Sequence, residues 1–143
     1  MHRESPHAFS SSHSFWRWLS LSLVLVIIDQ VSKLKVAFML PLHDRIEVTP
    51  FFDLVHTLNL GAAFSFLANA GGWQRHFFTL LGLLVSFFLI FLLWRGVRSR
   101  LETLAYVFIV AGALGNVVDR LRIGAVIDFL DFHWGGWHWP AFN

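Results

Sequence analysis

From Phe77 to Trp94 the chain reads "FFTLLGLLVSFFLIFLLW", eighteen residues without a charge, bracketed by Arg75 and Arg95. At roughly 1.5 Å per residue a helix of this length reaches about 27 Å, close to the hydrocarbon thickness of a bilayer. The run therefore predicts a transmembrane helix over 77–94. Phe15–Leu40, interrupted by "DQVSKLK", and Thr103–Val118 predict two more. The apolar centre "LSLSLVLVII" of the first could be the core of a signal peptide, but it leads into Asp29 rather than a small-residue cleavage site. A retained helix is the better reading. In the third, Ala111 and Gly115 form a small-xxx-small pair that lets another helix approach closely.

Composition agrees with a polytopic membrane protein. Only 14% of the residues are charged, against roughly 25% in soluble domains. Sixteen Phe and seven Trp suit lipid-facing helices with interfacial anchors. The basic residues lie at the ends of apolar runs, which is topology and not a nucleic-acid surface; no nucleic-acid partner is expected. Zero Cys excludes a thiolate metal site, a cysteine nucleophile and acylation of the chain itself on Cys. The eight His show no HxxxH or HExxH spacing, so no metal site is expected.

The loop 95–100, "RGVRSR", holds three Arg, and Arg3 and Arg17 precede or open the first helix. The longer loop 41–76 holds Arg45 and Arg75 against Asp44, Glu47 and Asp53. The positive-inside rule then puts the N-terminus in the cytoplasm, with loop 41–76 and everything after about residue 119 outside. Residues 1–14, polar and rich in Ser and His, are expected to be a disordered cytoplasmic tail, and 15–143 a membrane-embedded domain. Within loop 41–76, "RIEVTPFFDLVHTLNLGAAFSF" suits short strands on the membrane surface. Periodicity leaves 125–132 undecided between strand and helix.

Polar residues stand out at four places in apolar surroundings. Asp29 lies within the first helix, where an ionisable group costs a few kcal/mol. Lys33, at i+4, could simply neutralise it, and that reading and a functional one remain open. Asn59 in "NLGAAF" is either part of a turn or an amide that holds a substrate backbone, with Gly61 and Ala62 leaving room beside it. Asn116 and Asp119 share a helix face at the outer end of the third helix, followed by Arg120 and Arg122. Asp128, between Ile127 and Phe129, is either a surface acid or a carboxyl kept protonated by desolvation. A second carboxylate beside it would make a shared-proton pair able to hydrolyse a peptide or ester without metal, cysteine or serine.

The motifs "DQVSK" (29–33), "NLGAAF" (59–64), "GNVVDR" (115–120), "VIDFLDF" (126–132) and "PAFN" (140–143) occur in the order found in bacterial lipoprotein signal peptidases, the signal peptidase II family, and the chain resembles that family from about Phe15 to Asn143. The resemblance implies an all-α helical bundle with four transmembrane helices, three of them present here, and a small β-cradle and short helix on the outer face. It implies an aspartic endopeptidase of the bacterial inner membrane, a monomer without a cofactor. Its substrates would be prolipoproteins, cut before a diacylglyceryl-modified Cys. By position Asp128 matches the first catalytic aspartate. Asp29, Asn59, Gly61, Asn116, Asp119, Arg120 and Asn143 match residues that support or line the site.

In the family the last motif runs on from Asn, through two residues, to the second catalytic Asp. The expectation is a C-terminally truncated member whose 143 residues hold half of the dyad and lack the fourth helix. Asp131 matches no catalytic position and Asp119 matches a supporting one, so neither is expected to substitute. The alternatives are an inactive fragment or relative that binds lipoprotein substrate without cleaving it, and a small transporter subunit with Asp29 and Lys33 on an ion path.

Overall fold

The computed structural model describes residues 12–61, 71–97 and 99–143. Three long helices, α1 (Ser12–Met39), α2 (Trp73–Arg95) and α3 (Arg100–Ile123), alternate with the strands β1 (Arg45–Thr49), β2 (Phe52–Asn59), β3 (Val126–Trp134) and β4 (Trp137–His138). The strands form one antiparallel sheet in the order β1-β2-β3-β4. The fold is therefore helical with a four-stranded sheet, not all-α as expected. All three expected helices are present and run one to five residues past the predicted ends, apart from the end of the first, which stops at Met39, one residue short. Ser12–Ser14, assigned from sequence to a disordered tail, already belong to α1. Residues 1–11 of that tail, and 62–70, where the short outer helix was expected, lie outside the described residues.

The helices are apolar on the outside. On α1, Leu23, Val24, Ile27, Ile28, Val31, Leu34 and Phe38 are exposed, while the buried stripe is Ser22, Lys33 and Val36, continued just past the helix end by Leu40. That stripe keeps the 3–4 spacing of a packed helix face, but half of it is polar. Such an inversion suits a solvent of lipid tails, from which polar groups withdraw and in which leucine is at ease. Two helices, α2 and α3, are long and apolar enough to cross a membrane, with mean hydropathies of 2.6 and 1.7. Only 17% of the most apolar stretch of α2 is buried, whereas the core helix of a soluble protein is mostly buried.

α3 is the middle of the bundle, packed against both α1 and α2, which scarcely meet each other. It starts at a Ser-x-x-Glu sequence in which Ser99 caps the Glu102 amide, and it ends at Gly124. Its small residue does what the spacing predicted. A Cβ on Gly115 would stand 2.2 Å from Asp29 Oδ2, so only glycine lets α1 bring its carboxylate against the α3 backbone. Gly82 plays the same part between α2 and Val117.

Of residues 125–132, undecided from periodicity, all but Ala125 form a strand because β2 offers its edge. Phe52, Leu54, Thr57 and Asn59 of β2 stand opposite Phe132, Leu130, Asp128 and Val126. A bulge between Leu54 and Thr57 sets this register. Beyond β4 the chain returns along β3, with Phe142 bridging to Leu130. Asn143 thereby arrives beside Asp128.

Candidate active site

The site has two storeys. Between α1 and α3 lies a buried polar cluster centred on Lys33, which has no solvent exposure. Its Nζ donates to Asn116 Oδ1 at 2.8 Å and pairs with Asp119 Oδ2 at 2.9 Å and Asp29 Oδ2 at 3.0 Å. An ammonium has three protons to give, and here each has an acceptor. Gln30 Nε2 adds bonds to Asp119 Oδ1 (2.9 Å), Asp29 Oδ2 (3.1 Å) and the Gly115 carbonyl (3.1 Å). Arg122 Nη1 closes the cluster by donating to Gln30 Oε1 at 3.1 Å. A buried charge is tolerated only when paired and hydrogen-bonded, and these groups pair one another.

Above it stands Asp128, on β3 and 4% exposed. Each carboxylate oxygen receives an amide proton: Oδ2 from Asn59 Nδ2 at 2.9 Å, Oδ1 from Asn143 Nδ2 at 2.6 Å. Asn59 is itself held by its Oδ1, which accepts the Gly61 amide at 2.8 Å. Gly61 takes φ +111, and a Cβ there would meet the Phe78 ring at 2.6 Å, so this turn closes around glycine alone. Burial raises the Asp128 carboxyl above its ordinary value, against the opposing pull of the two amides, of Lys33 and of Arg120. The result is an acid that holds its proton more firmly than a surface aspartate does.

The two storeys are joined through Asp119, which is fully buried. Its Oδ2 meets Lys33 and also accepts the Ile127 amide at 3.3 Å, one residue before Asp128. Arg120 lies 5.3 Å above the Phe78 ring, with Nη1 3.5 Å from the Asn116 carbonyl.

Of the residues singled out from sequence, Asp128, Asn59, Gly61 and Asn143 form the upper site and Asp29, Asn116 and Asp119 the lower, with Arg120 between. Ala62 falls outside the described residues. Asp29 is a partner of Lys33, as its i+4 spacing allowed, but it shares the ammonium with two α3 residues. Sequence reasoning passed over Lys33 as a hub and left Gln30 and Arg122 without assigned partners. The available signal was a lysine at a core position of α1, in step with Ser22, Val36 and Leu40.

Asp131 is no plain surface acid. His138 Nδ1 stands 2.9 Å from its Oδ2, and the His138 ring stacks on His133 at 4.8 Å. His133 Nε2 in turn lies 3.2 Å from Asp53 Oδ1, within ion-pair distance though poorly aligned for a hydrogen bond. No group of three or more His, Asp or Glu able to hold a metal occurs among the described residues.

Apolar helices turned outward, with a carboxyl and its amides sheltered under a small sheet, define a membrane-embedded enzyme. Two solved structures described as bacterial membrane enzymes, determined by the in meso method at 2.3 and 1.9 Å resolution, share the fold with TM-scores of 0.76 and 0.74 at 30% identity. Each match covers 89% of this chain, and 76% and 81% of theirs respectively. The chain belongs to the signal peptidase II family, whose description, Signal peptidase (SPase) II, matches residues 21–143. It is 50% identical over 135 residues to the lipoprotein signal peptidase of Janthinobacterium sp. (strain Marseille), covering 94% of this chain and 82% of that one. It is 53% identical over 129 residues to the lipoprotein signal peptidase of Aeromonas hydrophila, covering 89% and 77%.

Proposed function

We propose that the chain is the body of an aspartic endopeptidase of the bacterial inner membrane, removing signal peptides from prolipoproteins just before a diacylglyceryl-modified Cys. The carrying observation is Asp128: a buried carboxyl, both oxygens held by amides, on the strand that follows α3. The relatives' name, lipoprotein signal peptidase, supplies the substrate class.

α1 is the third span in this reading, with its polar stripe against α3, the N-terminus in the cytoplasm and the sheet outside. The enzyme works as a monomer in contact with membrane lipids and without a cofactor.

In a carboxyl pair one member is protonated and the other ionised. Asp128, with its raised proton affinity, is the protonated member. It donates its proton toward the scissile carbonyl oxygen while the ionised partner takes a proton from the attacking water. The tetrahedral intermediate then collapses by breaking the C–N bond, and the leaving amine takes up a proton from the pair. The ionised partner in this reading is the second carboxylate that the family resemblance implies. The transporter alternative gains no support, because Lys33, which would line an ion path, is fully buried with every ammonium proton engaged.

The test uses membranes carrying the protein at the length its gene encodes, incubated with a diacylated prolipoprotein. Asp128→Asn is expected to abolish cleavage, and cleavage that survives it refutes the assignment. The 143-residue chain in the same assay separates an active enzyme from a substrate-binding fragment.

A further inference from the structure

We propose that Lys33 is a positioning residue for Asp128, acting through Asp119 and the Ile127 amide across the α1–α3 interface. It rests on Asp128 being the working carboxyl.

The geometry forms a short relay. Lys33 Nζ holds Asp119 Oδ2 at 2.9 Å, and that same oxygen receives the Ile127 amide at 3.3 Å. Ile127 is buried, and its neighbour on the strand is Asp128. Asp119 has a second anchor through Oδ1, which accepts from Gln30 Nε2 at 2.9 Å, so both of its oxygens are tied to α1. α1 thus reaches past α3 and fixes the first residues of β3. Without that tie, the start of β3 would rest on its pairing to β2 and, further along the strand, on β4, Phe142 and Asn143.

The ammonium has a second consequence. Among the described residues, the charged groups that act on Asp128 are Lys33 from α1 and Arg120 from α3, and both favour its ionised form; its hydrogen-bond partners, Asn59 and Asn143, are neutral amides. Asp29 and Asp119 flank Lys33 and are each paired to it. Loss of the Lys33 charge therefore makes Asp128 hold its proton to higher pH, and loss of the clamp loosens the strand that carries it.

The experiment follows the chain in lipid nanodiscs by NMR, with ¹³C-labelled aspartate and ¹⁵N-labelled isoleucine. The Asp128 carboxyl signal is assigned by its disappearance in Asp128→Asn. In Lys33→Met the Asp128 titration midpoint is expected to move upward and the Ile127 amide to exchange roughly tenfold faster or more, because its acceptor Asp119 is no longer held in place. In the cleavage assay kcat is expected to fall on the order of 10²-fold with KM little changed, the signature of a displaced catalytic group. Lys33→Arg, which keeps the charge, is expected to leave the Asp128 midpoint near that of the unaltered chain.

If Lys33→Met does not fold, Asp119→Asn carries the test. It preserves side-chain shape and leaves Lys33 with Asp29 and Asn116, and the Ile127 amide should again exchange faster. A folded variant with a lower melting temperature but an unchanged Asp128 midpoint and unchanged Ile127 exchange would overturn the proposal, leaving Lys33 a packing residue. Because these signals do not depend on turnover, that failure is distinct from the survival of cleavage in Asp128→Asn, which would instead remove the role of Asp128.

Discussion

Asp128 and Asp131 stand three residues apart on one strand and face opposite sides of the sheet. Side chains alternate along a strand, so an odd separation reverses the face. Asp128 is opposite Thr57 and takes the amides of Asn59 and Asn143. Asp131 is opposite Asp53 and takes His138. On a helix the same spacing would have put both carboxylates on one face. The strand therefore disqualifies Asp131 as the missing half of a carboxyl pair.

Asp131→Asn is accordingly expected to leave cleavage within a few-fold of the unaltered protein, where Asp128→Asn abolishes it. Its stability cost should stay below about 1 kcal/mol, since the His138 side chain is 43% exposed and such pairs are weak. Initial-rate assays on both variants, with melting curves, check this. A loss of activity in Asp131→Asn equal to that in Asp128→Asn would contradict the division of faces.

Stability should depend on pH through Asp128. Its carboxyl is raised in the folded chain by burial, so the folded state keeps a proton that the unfolded state releases at the ordinary value of 3.8. The contribution is complete below that value and is lost as pH climbs through the raised folded value. Melting temperature in nanodiscs should fall over that window, and Asp128→Asn, which cannot ionise, should flatten this part of the profile. An equally steep fall in the variant would assign the dependence to another group.

Asn59→Ala or Asn143→Ala removes one of the two bonds that favour the ionised carboxylate. Either change is expected to move the Asp128 titration upward, and with it the alkaline limb of the kcat/KM profile, since that limb reports the acid of the pair. The pair titrates as a unit, so the limb is a property of both carboxyls. Turnover should also drop on the order of 10²-fold as the carboxyl loses its fixed orientation. A limb that stays in place or moves to lower pH would contradict the bonding.

Gly115→Ala places a methyl 2.2 Å from Asp29 Oδ2 and 2.8 Å from its Cγ. Overpacking of this kind costs about 1–3 kcal/mol, and here it also pushes Asp29 off Lys33. Gly112→Ala, three residues earlier on the same helix, meets nothing within 4 Å and serves as the control. Thermal unfolding of the two variants should separate them clearly. Equal melting temperatures would mean that α1 and α3 do not approach as described.

Much of the architecture is legible in the sequence. An uncharged run such as Phe77–Trp94 can hardly be anything but a helix in lipid, and the small pair Ala111 and Gly115 announced a close helix neighbour. The strands in 41–76 were legible from their β-branched and aromatic residues. The conformation of 125–132 was not, because "AVIDFLDF" suits either period and only the free edge of β2 chose the strand. Of the site, Asp128 and its two amides could be named from their motifs. Lys33 could not be placed, since an i+4 partner on its own helix gave a sufficient local explanation.

The sequence by itself determined the apolar helices, the surroundings of each acid and the motifs of the family, because transfer to lipid and backbone periodicity are properties of neighbouring residues. The tertiary structure alone decided which acids work together. Lys33 and Asn116 are 83 positions apart, and Asn59 and Asp128 are 69. Their contacts depend on how closely α1 approaches α3 at Gly115 and on the bulged register of β2 against β3, and a hydrogen bond tolerates only a few tenths of an ångström of error in either.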